Sequence, residues 1–199
     1  KKLSAVETLG GTTVICTDKT GTLTQNKIEV TDVITADDNA ENNKQIMQQI
    51  AVLCNTAYIQ ILENDIKEIG DPLETGLLKY ALKNGSNIEL IRQQFPKINE
   101  VPFSSETKMM ATLHSRQNDF TVYAKGAAEE IFKQCSHILI GSEIQPWNDE
   151  TRKQWKEKSE QLAVSGLRVI AGAFRENSQN DAFFTSDLTF AGLYGMMDP

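Results

Sequence analysis

Asp18, Lys19, Thr20, Gly21 and Thr22 follow directly on residues 12–17, a short apolar run rich in β-branched side chains. Together they make a set suited to phosphoryl chemistry. A carboxylate presented on a loop at a strand end can attack a γ-phosphoryl group and form an acyl phosphate, provided that Mg²⁺ and hydrogen-bond donors neutralise the oxygens. In this set Asp18 is the nucleophile, Lys19 supplies positive charge, Thr20 and Thr22 supply hydroxyls, and Gly21 lets backbone N–H groups approach a phosphate. The competing reading is a polar turn after a strand, for which glycine and threonine are ordinary residues.

A nucleophile of this kind needs a rigid element behind it. Residues 12–17 have the composition of a buried strand that stops at Asp18, and open α/β sheets place their ligand sites at the C-terminal ends of strands. A second strand is predicted over 28–34. From 41 to 57 the apolar Ile46, Met47, Ile50, Leu53, Cys54 and Ala57 recur at helical spacing, which predicts an amphipathic helix packed on a sheet. The next helix is marked by Asp71 as N-cap, Pro72 at the first position, Glu74 at N3 and Gly85 past its end. Read as a capping box, Glu74 reaches back to the backbone at Asp71. Strands around 109–113 and 120–125 make a hairpin joined across 116–119, and a helix follows over 128–135. A charged helix opens at Asn148 or Asp149 and ends around 165–166, before strands at 168–174 and 188–195. Strands and helices mix without a regular βαβ alternation. The fold class is therefore α+β, an antiparallel sheet flanked by helices, preceded by a stub of an α/β domain.

Composition narrows the partners. The chain has 199 residues and a formal charge of −7, so nucleic acid meets no general electrostatic attraction, whereas a nucleotide can be held by a few local cations. No stretch reaches the ~18 consecutive apolar residues of a bilayer-spanning helix and no signal peptide opens the sequence, which predicts a chain soluble by itself. Cys16, Cys54 and Cys135 form no C-x-x-C pair and suit reduced cytosolic thiols. His114 and His137 stand alone, without the clustering of a zinc site.

The run DKTGTLT at 18–24, preceded by Cys16 and Thr17, resembles the signature of the P-type ATPase family. That resemblance implies an aspartyl-phosphate intermediate at Asp18, with Asp18 and Thr20 also offering oxygens to Mg²⁺ and Lys19 assisting. Wider relatives of the motif carry a second aspartate, an acid and base, where this chain has Thr20. Without that base the acyl phosphate hydrolyses slowly and lasts long enough to be coupled to conformational work. The same resemblance divides the chain into a phosphorylation-domain stub at 1–24 and a nucleotide-binding domain at 25–199.

Four further stretches resemble that family. Gly70 to Glu74 is similar to a G-[DE]-x-x-E segment, implying that Glu74 lies near the adenine amino group. Pro102 to Lys108 is similar to P-F-[SD]-S-x-x-K, implying that Phe103 stacks on adenine, worth ~1–3 kcal/mol, and that Lys108 lies beside the nucleotide. Ser105 stands where some relatives have an arginine. Lys125, Gly126 and Ala127 match K-G-A, implying a lysine at the pocket floor and a glycine that admits the ring; Arg168 resembles an arginine that contacts the phosphate chain. On residue chemistry alone the alternatives stay open: a core phenylalanine beside a solvated lysine at 103 and 108, an exposed lysine at 125, and a surface cation at 168.

The family's T-G-D and T-G-D-G-x-N-D segments do not occur in these 199 residues. The resemblance thus implies ATP binding of weak affinity with little or no turnover by the chain alone. It also implies a membrane-bound parent pump with actuator, phosphorylation and transmembrane domains, this chain on the cytoplasmic side and ending at a hinge strand. The approach at 3–10 resembles class II pumps, which makes Ca²⁺ the first expectation, with Na⁺/K⁺, H⁺ or Mg²⁺ transport open. Residues 12–17 are expected to be mobile, folded back, or paired with a second chain. Rival readings are a soluble aspartate-nucleophile phosphatase with a cap and a non-enzymatic nucleotide-binding module.

Overall fold

The computed structural model describes residues 10–14, 16, 27–61, 66–116, 119–178 and 185–197. Asp18, Lys19 and Thr20, with the whole 18–24 motif, lie outside these residues. Of the strand expected at 12–17, the described residues 12–14 and 16 are exposed and belong to no strand, Val14 being 74% exposed. β-branched composition expresses a fit to a pleated, half-buried surface, and no described strand offers these residues one.

From residue 29 on, the described residues form ten strands and five helices: β1 (Glu29–Thr35), α1 (Glu41–Leu53), β2 (Tyr58–Ile61), β3 (Ile66–Ile69), α2 (Pro72–Lys83), α3 (Ile88–Gln94), β4 (Lys97–Val101), β5 (Met109–Arg116), β6 (Asp119–Gly126), α4 (Ala128–Gln134), β7 (Cys135–Ile140), β8 (Glu143–Pro146), α5 (Asp149–Val164), β9 (Arg168–Ser178) and β10 (Leu188–Met197). Eight strands form one sheet in the order β4-β5-β6-β9-β10-β7-β8, with β1 also on β10, and β2 and β3 pair separately. β10 is the spine. Its N-terminal half pairs in parallel with β7, its C-terminal half pairs antiparallel with β1, and β9 runs antiparallel along nearly its whole length. All other pairings are antiparallel, so the fold is α+β as expected.

Alternation along the strands feeds two cores. On one face Met110, Tyr123, Ile170, Phe174 and Tyr194 pack against α1 and α2 through Met47, Ile50, Leu53, Leu77 and Leu78. On the other, Ala111, Leu113, Val122, Ala124, Ala171 and Leu193 meet Ile131 and Phe132 of α4 and Trp155 of α5. Period-two patterning buried on both sides gives three layers, helix on sheet on helix. His114 belongs to the interior: its Nδ1 lies 2.8 Å from the Phe95 carbonyl, and burial pushes the imidazole pKa down.

The helix ends follow local chemistry. Asp71 caps α2 by accepting from the Leu73 N–H at 2.9 Å. Past the other end, Gly85 (φ +83°) donates to Leu82 and Ser86 donates to Ala81, closing the last turn with a residue free to take a left-handed backbone. Half of the residues of α5 are charged, and Trp155 is its one buried residue. That indole sits edge-on to Phe190 with ring centroids 4.7 Å apart, in a cluster with Trp147 and Phe132.

Trp155 therefore fastens α5 to the sheet. Trp155→Ala is expected to lower the unfolding free energy by ~3–5 kcal/mol in urea titration, as for other buried aromatic truncations. Val164→Ala, exposed at the end of the same helix, should stay within about 0.5 kcal/mol of the unaltered chain.

Candidate functional site

On the α1/α2 side of the sheet, a cleft of about 440 Å³ opens between the start of α2, the loop before β5 and the beginnings of α4 and β9. Glu74, Phe103, Lys108, Lys125, Gly126 and Arg168 all line it. Six residues singled out from four separate stretches of sequence thus share one concavity. The three expected around Asp18 lie outside the described residues.

The floor is an ion pair. Lys125, near the end of β6, places its Nζ 2.7 Å from Oε1 of Glu74, which projects from the first turn of α2. The two residues are 6% and 8% exposed. Glu74 does not close a capping box: instead of returning to Asp71, its Oε2 accepts from the Thr56 N–H at 3.0 Å and the Thr56 hydroxyl at 2.6 Å. A buried cation in reach outcompetes the local backbone for the carboxylate, because an ammonium left unpaired there would be costly. Burial pushes the Glu74 pKa up, but the Lys125 charge and the Thr56 and Lys125 hydrogen bonds outweigh it and hold the carboxyl below 4.5.

Thr56 is reached by a turn tied down on several sides. The buried Asn55 donates to the Ala51 and Glu74 carbonyls at 2.9 Å each and accepts from Ala57 N–H at 2.8 Å. From α3, Arg92 donates to the Ala57 carbonyl at 2.9 Å and lies 5.0 Å over the Tyr58 ring. Sequence reasoning missed Asn55, Thr56 and Arg92. The available signal was a polar Asn-Thr pair closing an apolar helix, a position where short polar side chains bond the backbone.

The rim carries an aromatic ring and cations. Phe103 is 61% exposed, which excludes the core reading for it. Lys108 and Arg168 are exposed, and neither has an acidic partner among the described residues. Lys108 has φ +51°, the left-handed region that a non-glycine residue rarely occupies. Its backbone is clamped there, the N–H donating to Ser104 at 2.8 Å and the carbonyl accepting from Ala127 at 2.9 Å. Arg168 follows a helix-ending turn in which Gly166 takes φ +84° and Leu167 N–H donates to Leu162.

Of the two readings of Lys125, the exposed lysine on a turn is excluded, because its charge is paired with Glu74. One expectation is corrected. Gly126 was expected to admit a ligand ring, yet the space a Cβ would fill is taken by the Lys108 carbonyl oxygen at 2.5 Å and Met109 Cα at 2.7 Å. Its bareness lets β5 approach β6, and the left-handed turn at Lys108 depends on it.

Residues 43–199 match a family model described as P-type ATPase, cytoplasmic domain N. Among similar curated proteins, a calcium-transporting ATPase of Listeria monocytogenes serovar 1/2a is 36% identical over 213 residues, covering 100% of this chain and 24% of that protein. Calcium-transporting ATPase 1 of Lactococcus lactis subsp. lactis is 33% identical over 210 residues, with the same coverage of 100% and 24%. The sodium/potassium-transporting ATPase subunit alpha of Hydra vulgaris is 32% identical over 235 residues, covering 100% and 23%. The chain thus spans about a quarter of the length of these relatives.

The ion pair predicts an acid-sensitive fold. Because the folded pKa of Glu74 lies below its ordinary 4.5, its contribution to stability is complete above that pH and is lost as pH falls through the folded value. In denaturant titrations between pH 7 and 3, the unaltered chain should lose stability more steeply than Glu74→Gln, whose side chain at that position does not titrate.

Proposed function

Since the chain belongs to the P-type ATPase cytoplasmic domain N family, we propose that the cleft binds ATP and that the parent protein uses this ATP to phosphorylate Asp18 while translocating a cation, Ca²⁺ first among the candidates. The observation that carries the reading is the exposed Phe103 ring sharing one cleft with an ionised, acceptor-only carboxylate and two exposed cations. Adenine stacks on Phe103 with its amino group toward Glu74, the Glu74–Lys125 pair and Gly126 form the floor, and Lys108 and Arg168 face the phosphate chain. Stacking is tolerant of base identity and supplies grip, while the cations set the direction of the triphosphate.

Transfer then requires the γ-phosphoryl group to reach Asp18. Magnesium, held by the Asp18 and Thr20 oxygens, hard donors of the kind it takes, would neutralise charge on the phosphoryl group. Asp18 supplies the attacking carboxylate and Lys19 a compensating charge; Thr20 supplies no base for rapid hydrolysis. Membrane location, the actuator and transmembrane partners, and the choice of Ca²⁺ belong to the parent. Calcium is favoured because the Listeria and Lactococcus relatives bear that name at 36% and 33% identity. Alone, the chain binds ATP weakly and turns it over little, since phosphoryl transfer depends on a completed site.

Two measurements test this. Titration of the chain with ATP to millimolar concentration should shift the amide resonances of Phe103, Lys108, Lys125, Gly126 and Arg168. Phe103→Ala should weaken binding by ~1–3 kcal/mol; Lys108→Asn should weaken it while folded stability holds or rises by up to about 1 kcal/mol, asparagine tolerating the left-handed backbone better. No shift at millimolar ATP would refute the cleft assignment. For the parent, incubation with γ-labelled ATP should yield an acid-stable, hydroxylamine-labile phosphoprotein that is lost in Asp18→Asn; label that persists in that variant places the nucleophile elsewhere.

A further inference from the structure

Thr56 is an exposed residue that touches no backbone ladder, yet the chain spends a buried asparagine and an arginine on holding its turn. Gly70, at φ +125°, adds a third constraint, for a Cβ there would lie 2.7 Å from Ala57 Cβ. What the turn delivers is two donors to one oxygen: the Thr56 N–H and hydroxyl both meet Oε2 of Glu74.

A carboxylate has roughly four acceptor positions, two per oxygen. Thr56 fills both on Oε2, and Lys125 takes one on Oε1. The remaining capacity lies on Oε1 of this cleft-lining residue. We propose that Thr56 is a positioning residue that fixes Glu74 so that Oε1 accepts from an exocyclic amino group at C6 of a bound purine. A purine with hydrogen at C6 leaves that acceptor unused, and a 6-oxo purine sets an acceptor against it. The inference rests on the reading of the cleft as a nucleotide site with the amino group toward Glu74, and adds to it the residue that holds that carboxylate in place.

Valine in place of Thr56 keeps shape and N–H but removes the hydroxyl, so Oε2 regains an open position and the carboxylate is held by two donors instead of three. Serine retains the donor. The test is calorimetric or NMR titration of the chain and of Thr56→Val and Thr56→Ser with ATP, purine riboside 5′-triphosphate and inosine 5′-triphosphate, alongside thermal melts. The unaltered chain should favour ATP over purine riboside triphosphate by about tenfold or more, the scale of a hydrogen bond to a charged group, and disfavour the inosine nucleotide further. In Thr56→Val that preference should fall to about twofold through loss of ATP affinity alone, with purine riboside triphosphate unchanged; Thr56→Ser should keep the preference.

Equal weakening of both nucleotides in Thr56→Val, or an undiminished preference, would overturn the role given to Thr56. So would an unaltered chain that binds both triphosphates equally, although the cleft reading would then stand. If the unaltered chain binds none of the three, the cleft reading fails and this inference with it.

Discussion

Taking a carboxylate and an ammonium out of water costs several kcal/mol each, and their attraction offsets this only when the geometry is good and the remaining hydrogen-bonding positions are filled. The Glu74–Lys125 pair meets the first condition, and on the carboxylate all but one position is filled. The two groups lie 2.7 Å apart, and Thr56 supplies two more donors to the carboxylate. The pair links the first turn of α2 to the end of β6, while Asn55 links the end of α1 to the same glutamate's backbone. Three elements therefore converge on one residue. Apolar residues of equal volume could join them as firmly; what they could not supply is an ionised acceptor at the bottom of a cleft, and under the proposed function that is what the pair is kept for.

The two faces of the sheet divide the work. The α4/α5 side is closed by aromatic packing around Phe190. The α1/α2 side carries the site, and its polar groups sit where the apolar packing ends: Thr112 donates toward Leu53 and Tyr123 carbonyls, and Cys54 packs against the Met110 carbonyl with its pKa raised to about 11 by burial. At that pKa the thiol stays protonated at neutral pH and acts as a small packing group.

The parts of the fold legible in the sequence were those whose signal is local. The Asp71-Pro72 start and the Gly85 stop of α2 and the Asn148 cap of α5 each depend on one turn of chain, and both helices lie where they were expected; the helix expected over 41–57 runs only to Leu53, after which Asn55 and Thr56 leave it to bond Glu74. The strands at β5, β6, β9 and β10 were placed too, but ran longer, because a sheet extends strands through pairing that composition does not record. β2, β3, β4, β7 and β8, of four to six residues each, and α3, which buries none of its residues, carry almost no periodic pattern and were missed. At the site, family motifs picked out six lining residues, but the bond between Glu74 and Lys125 spans 51 positions. Nothing local to either residue announces it, and the role of Thr56 follows only once it is seen.

Lys108 shows how floor and rim differ. A left-handed backbone costs a side-chain-bearing residue roughly 1–2 kcal/mol, and here it is maintained by hydrogen bonds to Ser104 and Ala127 and by the absence of a Cβ at Gly126. Relaxing the turn would free that energy but uncouple the Phe103–Lys108 loop from β6 and the start of α4. The floor is built from regular elements and a carboxylate held by three donors with one acceptor position left, so it can discriminate by hydrogen bonding. The rim is a strained loop bearing an exposed ring and a long flexible cation, so it can follow a phosphate chain whose outer end must leave the cleft to be transferred. Under the proposed function, a base held by rigid groups and a triphosphate held by compliant ones is the arrangement that lets one end of ATP stay fixed while the other is delivered to Asp18.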